Sequence, residues 1–504
     1  MHAALTRHGY TQHHLCIFLL TFSSYALFNA TRKTLSCVKV SFLSEWTRMP
    51  INDSTETLSP PEIWSAHSLF PDEEKASLFL GALDTIFLFT YAMGSYISGF
   101  LSDRFNLRLV LSVGMWLSAL VAFVFGSVTE WLGFYNMPFY AFLWALNGFV
   151  QSTGWPCTVA IMGNWFGNKS RGFIFGVWSS CGCIGNILGA LLVSTVISYG
   201  YEYTFLVMAS LLFSGGIVVF FGMAVSPAEV GLSLASIEEE ETSCREASVT
   251  WSKASESLPV VDKANQRTYG TPPDDGPREG SSIRTDKPAL GFFKIVCLPG
   301  VAVYALAYAC LKLVNYAFFF WLPYYLAYEF SWTQVDASRM SIWYDFGGII
   351  GGAMAGLISD RLGKRAPVIA LMLLLAVATL ACYLNPFSNR VWNGFLLGVT
   401  GFFVSGTANL ISSAVPADLG QQGTIQGNRE ALGTVTGIVD GTGSLGASVG
   451  QFLVAVIYSR FGWEWVFVFF IVMIFLTLII LLPLVVREIK NIFVNQQVGC
   501  LSTT

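Results

Sequence analysis

The chain consists mainly of long apolar runs separated by short polar stretches. A helix needs about 20 apolar residues to cross the hydrocarbon core of a bilayer, and twelve runs come close to this length. The pattern predicts an all-α polytopic membrane protein with twelve transmembrane helices in two six-helix pseudo-repeats. The runs are Leu15 to Val38, Leu78 to Leu101, Leu109 to Val128, Tyr140 to Met162, Gly172 to Ile197, Tyr203 to Val225, Val301 to Tyr324, Met340 to Ile358, Pro367 to Leu384, Trp392 to Val415, Leu432 to Tyr458 and Trp465 to Val486.

A polar centre divides the twelve runs into two sets of six. It contains four consecutive glutamates, Glu238 to Glu241, and a stretch rich in Ser, Thr, Pro and Gly with almost no apolar periodicity. Such a segment cannot bury a core, so it predicts a disordered linker. The predicted domains are a six-helix bundle at 1–225, a cytoplasmic linker at 226–290, a second six-helix bundle at 291–486 and a cytoplasmic tail at 487–504.

The positions of Lys and Arg predict the orientation in the membrane. If the spans alternate, most positive residues of the short loops fall on one side, among them Arg104, Arg108, Lys169, Arg171, Arg361, Lys364, Arg365, Arg429, Arg487 and Lys490. Cytoplasmic loops carry an excess of these residues, so both termini and the linker are predicted to be cytoplasmic. The loop from Lys39 to Lys75 then faces the lumen or exterior, where Asn52 begins a glycosylation sequon.

The composition supports a membrane protein and excludes several other classes. Of 504 residues, 54% are hydrophobic and only 12% are charged, whereas soluble domains carry about 25% charged residues. A net charge of −4 gives no basic surface for nucleic acid. The ten cysteines lie mostly in apolar runs and are interpreted as small hydrophobes. The sequence offers no nucleophile–base pair and no metal cluster, so an enzyme is not predicted and no cofactor is expected.

A ten-residue loop occurs twice, each time after the second span of a half. Gly99 to Arg108 reads GFLSDRFNLR, and Gly356 to Arg365 reads GLISDRLGKR. The same loop at the same place in two six-span halves predicts parallel repeats that rock around a central site.

Charges inside the apolar runs are the candidate functional residues, because a charge in hydrocarbon is costly. Arg32 and Lys33 lie in the first span, where Tyr25, Asn29 and Arg32 share one helical face. A guanidinium offers paired donors to a phosphate or carboxylate, and an ammonium adds a point charge. We predict that Arg32 and Lys33 bind an anion. The alternative is that both side chains reach out to the membrane interface.

Lys312 is the corresponding charge in the first span of the second half. Cations on equivalent helices of the two halves would face each other at the repeat interface, where transporters bind their substrates. The pair therefore suggests an anionic substrate. The alternative is an ion pair between Lys312 and one of the acids inside the spans, Asp84, Asp345 or Asp440.

Asp84 and Asp345 lie in the second spans of the two halves, and their offset of one helical turn suggests a similar face. They are either proton acceptors or counter-charges for Arg32 and Lys312. We favour counter-charges, together with Asp440, because the five histidines lie outside the spans and no proton relay is evident. The histidines are His2, His8, His13, His14 and His67.

The repeated loop resembles the G-x-L-x-D-R-x-G signature of the major facilitator superfamily. The second copy matches closely, whereas Asn106 replaces a glycine in the first. The resemblance implies that Asp103, Arg104, Asp360 and Arg361 act in gating between inward-open and outward-open states. The alternative is that these charges only hold a cytoplasmic turn and fix the topology.

A second group of motifs is similar to the organophosphate:phosphate antiporters, and within them to the solute carrier family of sugar-phosphate exchangers. It includes Asn147 to Pro156 (NGFVQSTGWP), Asn164-Trp165-Phe166, Trp178, Trp321-Leu322-Pro323, Tyr344 to Gly348 and Ala417 to Gly420. The resemblance covers nearly the whole chain except the tails and the linker. It implies exchange of a phosphorylated sugar for inorganic phosphate across an intracellular membrane, notably the endoplasmic reticulum, with an endolysosomal membrane as the alternative.

The same resemblance implies that Arg32 and Lys33 contact the phosphate and that Lys312 supplies the opposing charge. Bacterial relatives carry an arginine where this chain has Asn315, three residues after Lys312. Gln151 is a polar group in hydrocarbon that needs a partner. The predicted substrate-binding residues are Arg32, Lys33, Lys312, Tyr25, Asn315 and Gln151.

The predicted function is secondary active transport of an organic phosphate or a similar anion, such as a phosphonate, by alternating access. Two alternatives remain open. One is a proton-coupled anion symporter, and the other is a partner-dependent membrane subunit that does not transport. The expected partners are a small anionic substrate and membrane lipid, with a monomer as the transport unit and an accessory membrane subunit as a further option.

Overall fold

A computed structural model describes residues 12–47, 69–102, 105–166, 171–232, 300–384, 389–419 and 431–501. Eleven helices in this part of the chain are long and apolar enough to cross a membrane. The twelfth crossing is made by two shorter helices that follow each other, Met137–Gln151 and Gly154–Trp165. The prediction of an all-α protein with twelve spans is confirmed.

The first half contains spans one to six, and the second half contains spans seven to twelve. The first six are Gln12–Trp46, Glu73–Ser102, Leu107–Phe123 with its continuation to Trp131, the helix pair of the fourth span, the pair Arg171–Ser179 and Cys181–Val196, and Tyr201–Gly222. The last six are Val301–Glu329, Gln334–Leu362, Ala366–Ala381, Arg390–Leu419, Ala431–Phe461 and Trp463–Leu501. We call the end of the bundle that holds Leu232 and Gly300 the linker face, and the end that holds Trp46 and Glu73 the distal face.

The first span is longer than the apolar run that predicted it. The helix continues eight residues beyond Val38 to Trp46, and Lys39 is fully buried inside it. The prediction that a loop begins at Lys39 is therefore wrong. A lysine in a sequence normally marks a water-facing end, and only a partner within the bundle allows it to stay inside.

The fourth span is interrupted at Ser152 and Thr153 because Pro156 follows. Proline has no backbone N–H, so the carbonyl of Ser152, four residues earlier, loses its helical donor. Ser98 of the second span replaces that donor, since its Oγ lies 3.0 Å from the Ser152 carbonyl oxygen. The carbonyl that the proline leaves free therefore forms a contact between the second and fourth spans.

The two copies of the repeated loop end differently. Gly363 closes the eighth span in the left-handed region, with φ of 63°, where glycine has no steric penalty. Asn106, at the matching position, has φ of −63° and caps the third span, its side chain accepting a hydrogen bond from the Arg108 backbone N–H at 3.0 Å. Asparagine can replace the glycine here because this copy needs a helix cap and not a left-handed turn.

Glycines allow the spans to approach closely, most of all in the second half. A Cβ at Gly347 would lie 1.9 Å from the Gly398 carbonyl oxygen, which brings the eighth and tenth spans into backbone contact. Between the halves, a Cβ at Gly437 would lie 2.8 Å from the Ser95 carbonyl oxygen. Small residues have this role in membrane bundles because they let helix backbones meet.

Gly401→Ala is expected to destabilise the protein, because the new Cβ would lie 1.9 Å from the backbone oxygen of Tyr344. Overpacking of this kind costs about 1–3 kcal/mol. Thermal unfolding of the purified protein in detergent measures the effect. Gly222→Ala is the matched control, since its new Cβ would meet only Leu20 Cδ1 at 3.6 Å. Equal melting temperatures for the two variants would contradict this packing.

Candidate functional site

A central cavity of about 680 Å³, counting its opening, lies between the two halves. Its walls come from the first, fourth and fifth spans on one side and from the seventh, eighth, tenth and eleventh spans on the other. This is the arrangement expected of two pseudo-repeats around a shared site. Five of the predicted site residues line it: Tyr25, Lys33, Asn315, Asp345 and Asp440.

Arg32 is fully buried behind the cavity wall, between the two halves. Its Nε donates to Gln151 Oε1 at 3.1 Å, and its Nη1 donates to the hydroxyl of Tyr316 at 3.1 Å. The guanidinium lies over the ring of Tyr91, 4.8 Å from the centroid. Nη2 is buried without a hydrogen-bond partner. The side chain is therefore held in place with one nitrogen, Nη2, unused.

Gln151 has the partner that the sequence requires. Its Oε1 accepts from Arg32, while its Nε2 donates to Ser118 Oγ at 3.0 Å and to Asn147 Oδ1 at 3.3 Å. Ser118 in turn donates to Asn147 at 2.8 Å. This network fixes the amide so that its oxygen faces the guanidinium, and Gln151 positions Arg32 without lining the cavity.

Lys312 forms an ion pair with Asp440, which is the alternative that the sequence left open. Its Nζ lies 2.7 Å from Asp440 Oδ1 and 2.7 Å from Ser444 Oγ. The same ammonium lies 5.0 Å from the ring centroid of Tyr316 and 5.5 Å from that of Tyr91. Since Arg32 contacts the same two tyrosines, the structure brings the cations of the two halves together on shared aromatic rings.

Lys33 lines the cavity and also bonds to the seventh span, at a backbone carbonyl that a proline leaves free. Pro323 leaves the carbonyl of Phe319 without a helical donor. Lys33 Nζ and Ser36 Oγ both donate to that carbonyl oxygen, each at 2.7 Å. These bonds join the first and seventh spans, which belong to different halves, toward the distal face. Lys33 is thus both a cavity residue and part of a contact between the two halves toward the distal face.

Asp84 does not serve as the counter-charge of Arg32 or Lys312, and that prediction is wrong. Its carboxylate pairs with Lys39 Nζ at 2.5 Å, and both side chains are completely buried. The Lys39 ammonium also lies 3.8 Å from the ring centroid of Trp321 in the other half. Sequence reasoning missed Lys39 because it lies at the end of an apolar run. The one signal in the sequence for a buried Lys39 was Asp84, an acid on the neighbouring span that could pair with it.

The one-turn offset in the sequence suggested that Asp345 and Asp84 have similar surroundings. They do not, because Asp345 faces the central cavity. Its Oδ1 accepts a hydrogen bond from Asn186 Nδ2 of the fifth span at 2.7 Å. Among the described residues, no Lys or Arg nitrogen lies within 4.0 Å of this carboxylate. Asp345 is therefore not in direct contact with Arg32 or Lys312, unlike Asp440, which neutralises Lys312.

The cavity wall combines aromatic rings with amides. Trp155 lines the cavity and stacks on Trp178 with 5.1 Å between ring centroids, and the ring of Tyr25 lies 4.7 Å from Trp155. On the other side, Asn315 accepts a hydrogen bond from the Tyr344 hydroxyl at 2.7 Å. Trp155 looks like a packing residue in the sequence, and it does pack, but it also presents its ring to the cavity.

At the linker face, Asp360 of the second repeated loop is bonded to Arg365. The Arg365 guanidinium lies 2.6 Å from Asp360 Oδ1 and 2.9 Å from Asp418 Oδ2 of the tenth span. Burial alone would lower the pKa of Arg365, but the Asp418 and Asp360 carboxylates raise it above its ordinary value. Arg361 is exposed, and no ion pair of it is found among the described residues. Asp103, Arg104 and Asn52 lie outside the described residues.

Cys183 offers a test of the cavity, since it lines the wall with 3% of its surface exposed, whereas Cys181 is fully buried and does not line it. A small methanethiosulfonate reagent is expected to modify Cys183 at least about tenfold faster than Cys181, because thiol reactivity requires access. Peptide mass spectrometry after timed labelling of the folded protein measures both rates. Equal rates at the two positions would contradict the cavity geometry.

Fold and site together define a polytopic membrane protein of two pseudo-symmetric halves around a central cavity with buried cations. The model of the Major Facilitator Superfamily matches residues 37–427. The chain belongs to this superfamily and, within it, to the sugar phosphate exchanger family.

Three relatives illustrate the likeness. The chain is 55% identical to Sugar phosphate exchanger 3 of Homo sapiens, covering 97% of this chain and 96% of the relative. It is 36% identical to Putative glycerol-3-phosphate transporter 5 of Arabidopsis thaliana, over 96% and 93% of the two chains. It is 34% identical to Glucose-6-phosphate exchanger SLC37A2 of Xenopus tropicalis, over 94% and 93%. These names describe exchangers and transporters, in agreement with the prediction that the chain is not an enzyme.

Proposed function

We propose that the protein exchanges a phosphorylated sugar or a similar organic phosphate for inorganic phosphate by alternating access. The observation that carries the proposal is the charge balance at the centre of the bundle. Lys39 with Asp84 and Lys312 with Asp440 cancel as ion pairs. The other deep charges, Arg32, Lys33 and Asp345, leave an excess of one positive charge, which suits an anion. The names of the relatives support a phosphate ester as this anion.

A phosphate group in the cavity would contact Lys33 directly. Arg32 lies one layer deeper, behind the hydroxyl of Tyr316, which lines the cavity and accepts the Nη1 hydrogen bond. A phosphate oxygen that displaces this hydroxyl would gain Nη1 and the unpaired Nη2, the paired donors that a guanidinium offers to a phosphate. Lys312 stays neutralised by Asp440 and acts by holding Tyr316 and Tyr91 in place.

The contact of Lys33 with the Phe319 carbonyl supports exchange over uniport. A bound phosphate competes with this carbonyl for the Lys33 ammonium, so loading the site weakens the contact that closes the distal side. A ligand shifts a conformational equilibrium only through such a difference in contacts between states. An empty carrier keeps the contact and stays closed, which is the behaviour that an obligate exchanger needs. Asp360, Arg365 and Asp418 all belong to the second half, and their ion pairs are proposed to hold its eighth and tenth spans together at the linker face while the two halves move.

We also propose where the protein acts. The distribution of Lys and Arg supports cytoplasmic termini and a cytoplasmic linker. The motif resemblance to the sugar-phosphate exchangers suggests an intracellular membrane, the endoplasmic reticulum first and an endolysosomal membrane second. The sequon at Asn52 would then face the lumen and accept a glycan. Phosphonates are included among the proposed substrates because they present the same terminal oxygen acceptors to Arg and Lys as a phosphate ester. The transport unit is proposed to be a monomer.

Purified protein in phosphate-loaded liposomes tests the proposed function. Labelled sugar phosphates, phosphonates and carboxylates are offered outside. Uptake is expected for the sugar phosphates and phosphonates but not for the carboxylates, and only when phosphate is present inside. The position of Asp345 in the cavity favours a proton-coupled symporter as the second candidate. Uptake driven by a pH gradient into phosphate-free liposomes would support that candidate. Absence of any uptake, together with a stoichiometric membrane partner, would point to a non-transporting subunit.

A further inference from the structure

The central cavity contains a carboxylate as well as cations. Asp345 lines the same cavity as Lys33, and its Oδ1 accepts from Asn186 at 2.7 Å. A carboxylate repels a phosphate dianion in the same enclosed space. Asp345 interacts with the Lys33 ammonium only through space, since no Lys or Arg nitrogen among the described residues lies within 4.0 Å of it. Its carboxylate is therefore available to accept a hydrogen bond from a ligand.

Hydrogen-bonding groups from both halves line the cavity together with Asp345. Asn186 Oδ1 is buried without a partner, and Asn409 Nδ2 and Ser405 Oγ each lie 3.6 Å from Cys183 Sγ across the interface between the halves. An ionised carboxylate can only accept hydrogen bonds, whereas a hydroxyl group can donate and accept. The ligand that complements this cluster is therefore one with O–H groups.

The first half contributes an apolar surface to the same cavity. Trp155 presents its ring to the cavity while Trp178 supports it from behind, and the indole Nε1 of Trp155 has no hydrogen-bond partner. An aromatic ring with a polar N–H suits a ligand that is apolar on one side and polar on the other. A polyol or sugar carbon frame with its hydroxyls has this character.

We infer that Asp345 is a specificity-determining residue that accepts a hydrogen bond from a hydroxyl group of the transported organic phosphate, while the phosphate lies toward Lys33 and Arg32. The inference rests on the proposed function and narrows it. Phosphate esters of polyols and sugars should be preferred over esters of similar size without free hydroxyls. A site built around a hydroxyl rejects an analogue that lacks it, because a buried acceptor is then left unpaired.

Two phosphate esters of similar size test the inference, glycerol 3-phosphate with two hydroxyls and propyl phosphate with none. Each is added as an inhibitor of labelled phosphate exchange in phosphate-loaded liposomes. The wild type is expected to bind glycerol 3-phosphate at least about tenfold more tightly, and Asp345→Asn is expected to reduce the ratio to about threefold or less. Asp336→Asn is the matched control, because Asp336 begins the same span in an exposed ion pair with Arg390, and it should keep the wild-type ratio.

The outcomes separate this inference from the proposed function. An unchanged ratio in Asp345→Asn overturns it. Loss of all phosphate exchange in a variant with wild-type thermal stability also overturns it, because Asp345 would then act in the exchange step itself or in proton coupling. If Asp345→Asn does not fold, Asp345→Glu is tested instead. It keeps the charge but moves the carboxylate oxygens, so it is expected to lower the preference for glycerol 3-phosphate over propyl phosphate. A wild-type protein that exchanges no phosphate, or is inhibited by neither ester, contradicts the proposed function instead.

Discussion

Arg32→Ala is expected to reduce phosphate exchange by at least about 100-fold while the protein still folds and reaches its membrane. The guanidinium is a fully buried cation beside the cavity with no ion pair among the described residues, and hydrogen bonds to a charged group contribute about 1.5–3 kcal/mol each. Loss of two such bonds to a phosphate exceeds the 2.7 kcal/mol that corresponds to 100-fold. Uptake into phosphate-loaded liposomes at matched protein content measures the effect.

Two further variants show whether the loss reflects the geometry of Arg32 or only its charge. Arg32→Lys keeps the charge but cannot supply paired donors, so it is expected to recover only a small part of the exchange. Arg390→Ala is the control, because Arg390 is an exposed arginine with an ion pair to Asp336 and a ring contact to Trp332. It should transport like the wild type. Normal exchange by Arg32→Ala would show that the anion binds elsewhere.

Lys39→Met and Asp84→Leu are each expected to destabilise the protein by about 3–5 kcal/mol, because either change leaves one charge buried without its partner. Both side chains are fully buried and face each other across the first two spans. The double variant Lys39→Met with Asp84→Leu should recover most of the loss, since it replaces a buried ion pair by apolar groups of similar volume. Thermal unfolding in detergent and the yield of monodisperse protein measure the effect.

The exposed ion pair between Lys75 and Asp72, with 62% and 48% of the two side chains accessible, is the matched control for this cycle. Lys75→Met is expected to change stability by less than about 1 kcal/mol. If the Lys39 and Asp84 single variants are as stable as the wild type, or if the double variant is worse than both, the two charges are not a coupled pair.

The apolar runs of the sequence predicted the number of spans better than they predicted where each span ends. Apolar length alone indicated twelve crossings, because the bilayer fixes how long a spanning helix must be. It failed at Lys39, where an acid on another span makes a buried charge tolerable. The break at Ser152 has a local cause, Pro156, but the hydroxyl of Ser98 that satisfies the freed carbonyl is distant in sequence. A single sequence does not identify such distant partners.

The same limit applies to the site. The sequence indicated Arg32, Lys33 and Lys312 because charges are rare in hydrocarbon, and the structure places all three at the interface between the halves. It did not indicate which acid pairs with which cation. Asp440 pairs with Lys312, Asp84 pairs with Lys39, and Asp345 faces the cavity. The tyrosines that Arg32 and Lys312 share, Tyr91 and Tyr316, carry no signal in a chain with so many aromatic residues in its spans.

The most direct test of the central claim is the efflux of labelled inorganic phosphate from proteoliposomes, with and without glucose 6-phosphate outside. Obligate exchange at a central anion site predicts that efflux is slow in plain buffer, rises when the sugar phosphate is added, and does not depend on a pH gradient. Efflux that proceeds equally without an external organic phosphate, or that requires a proton gradient, would contradict the account.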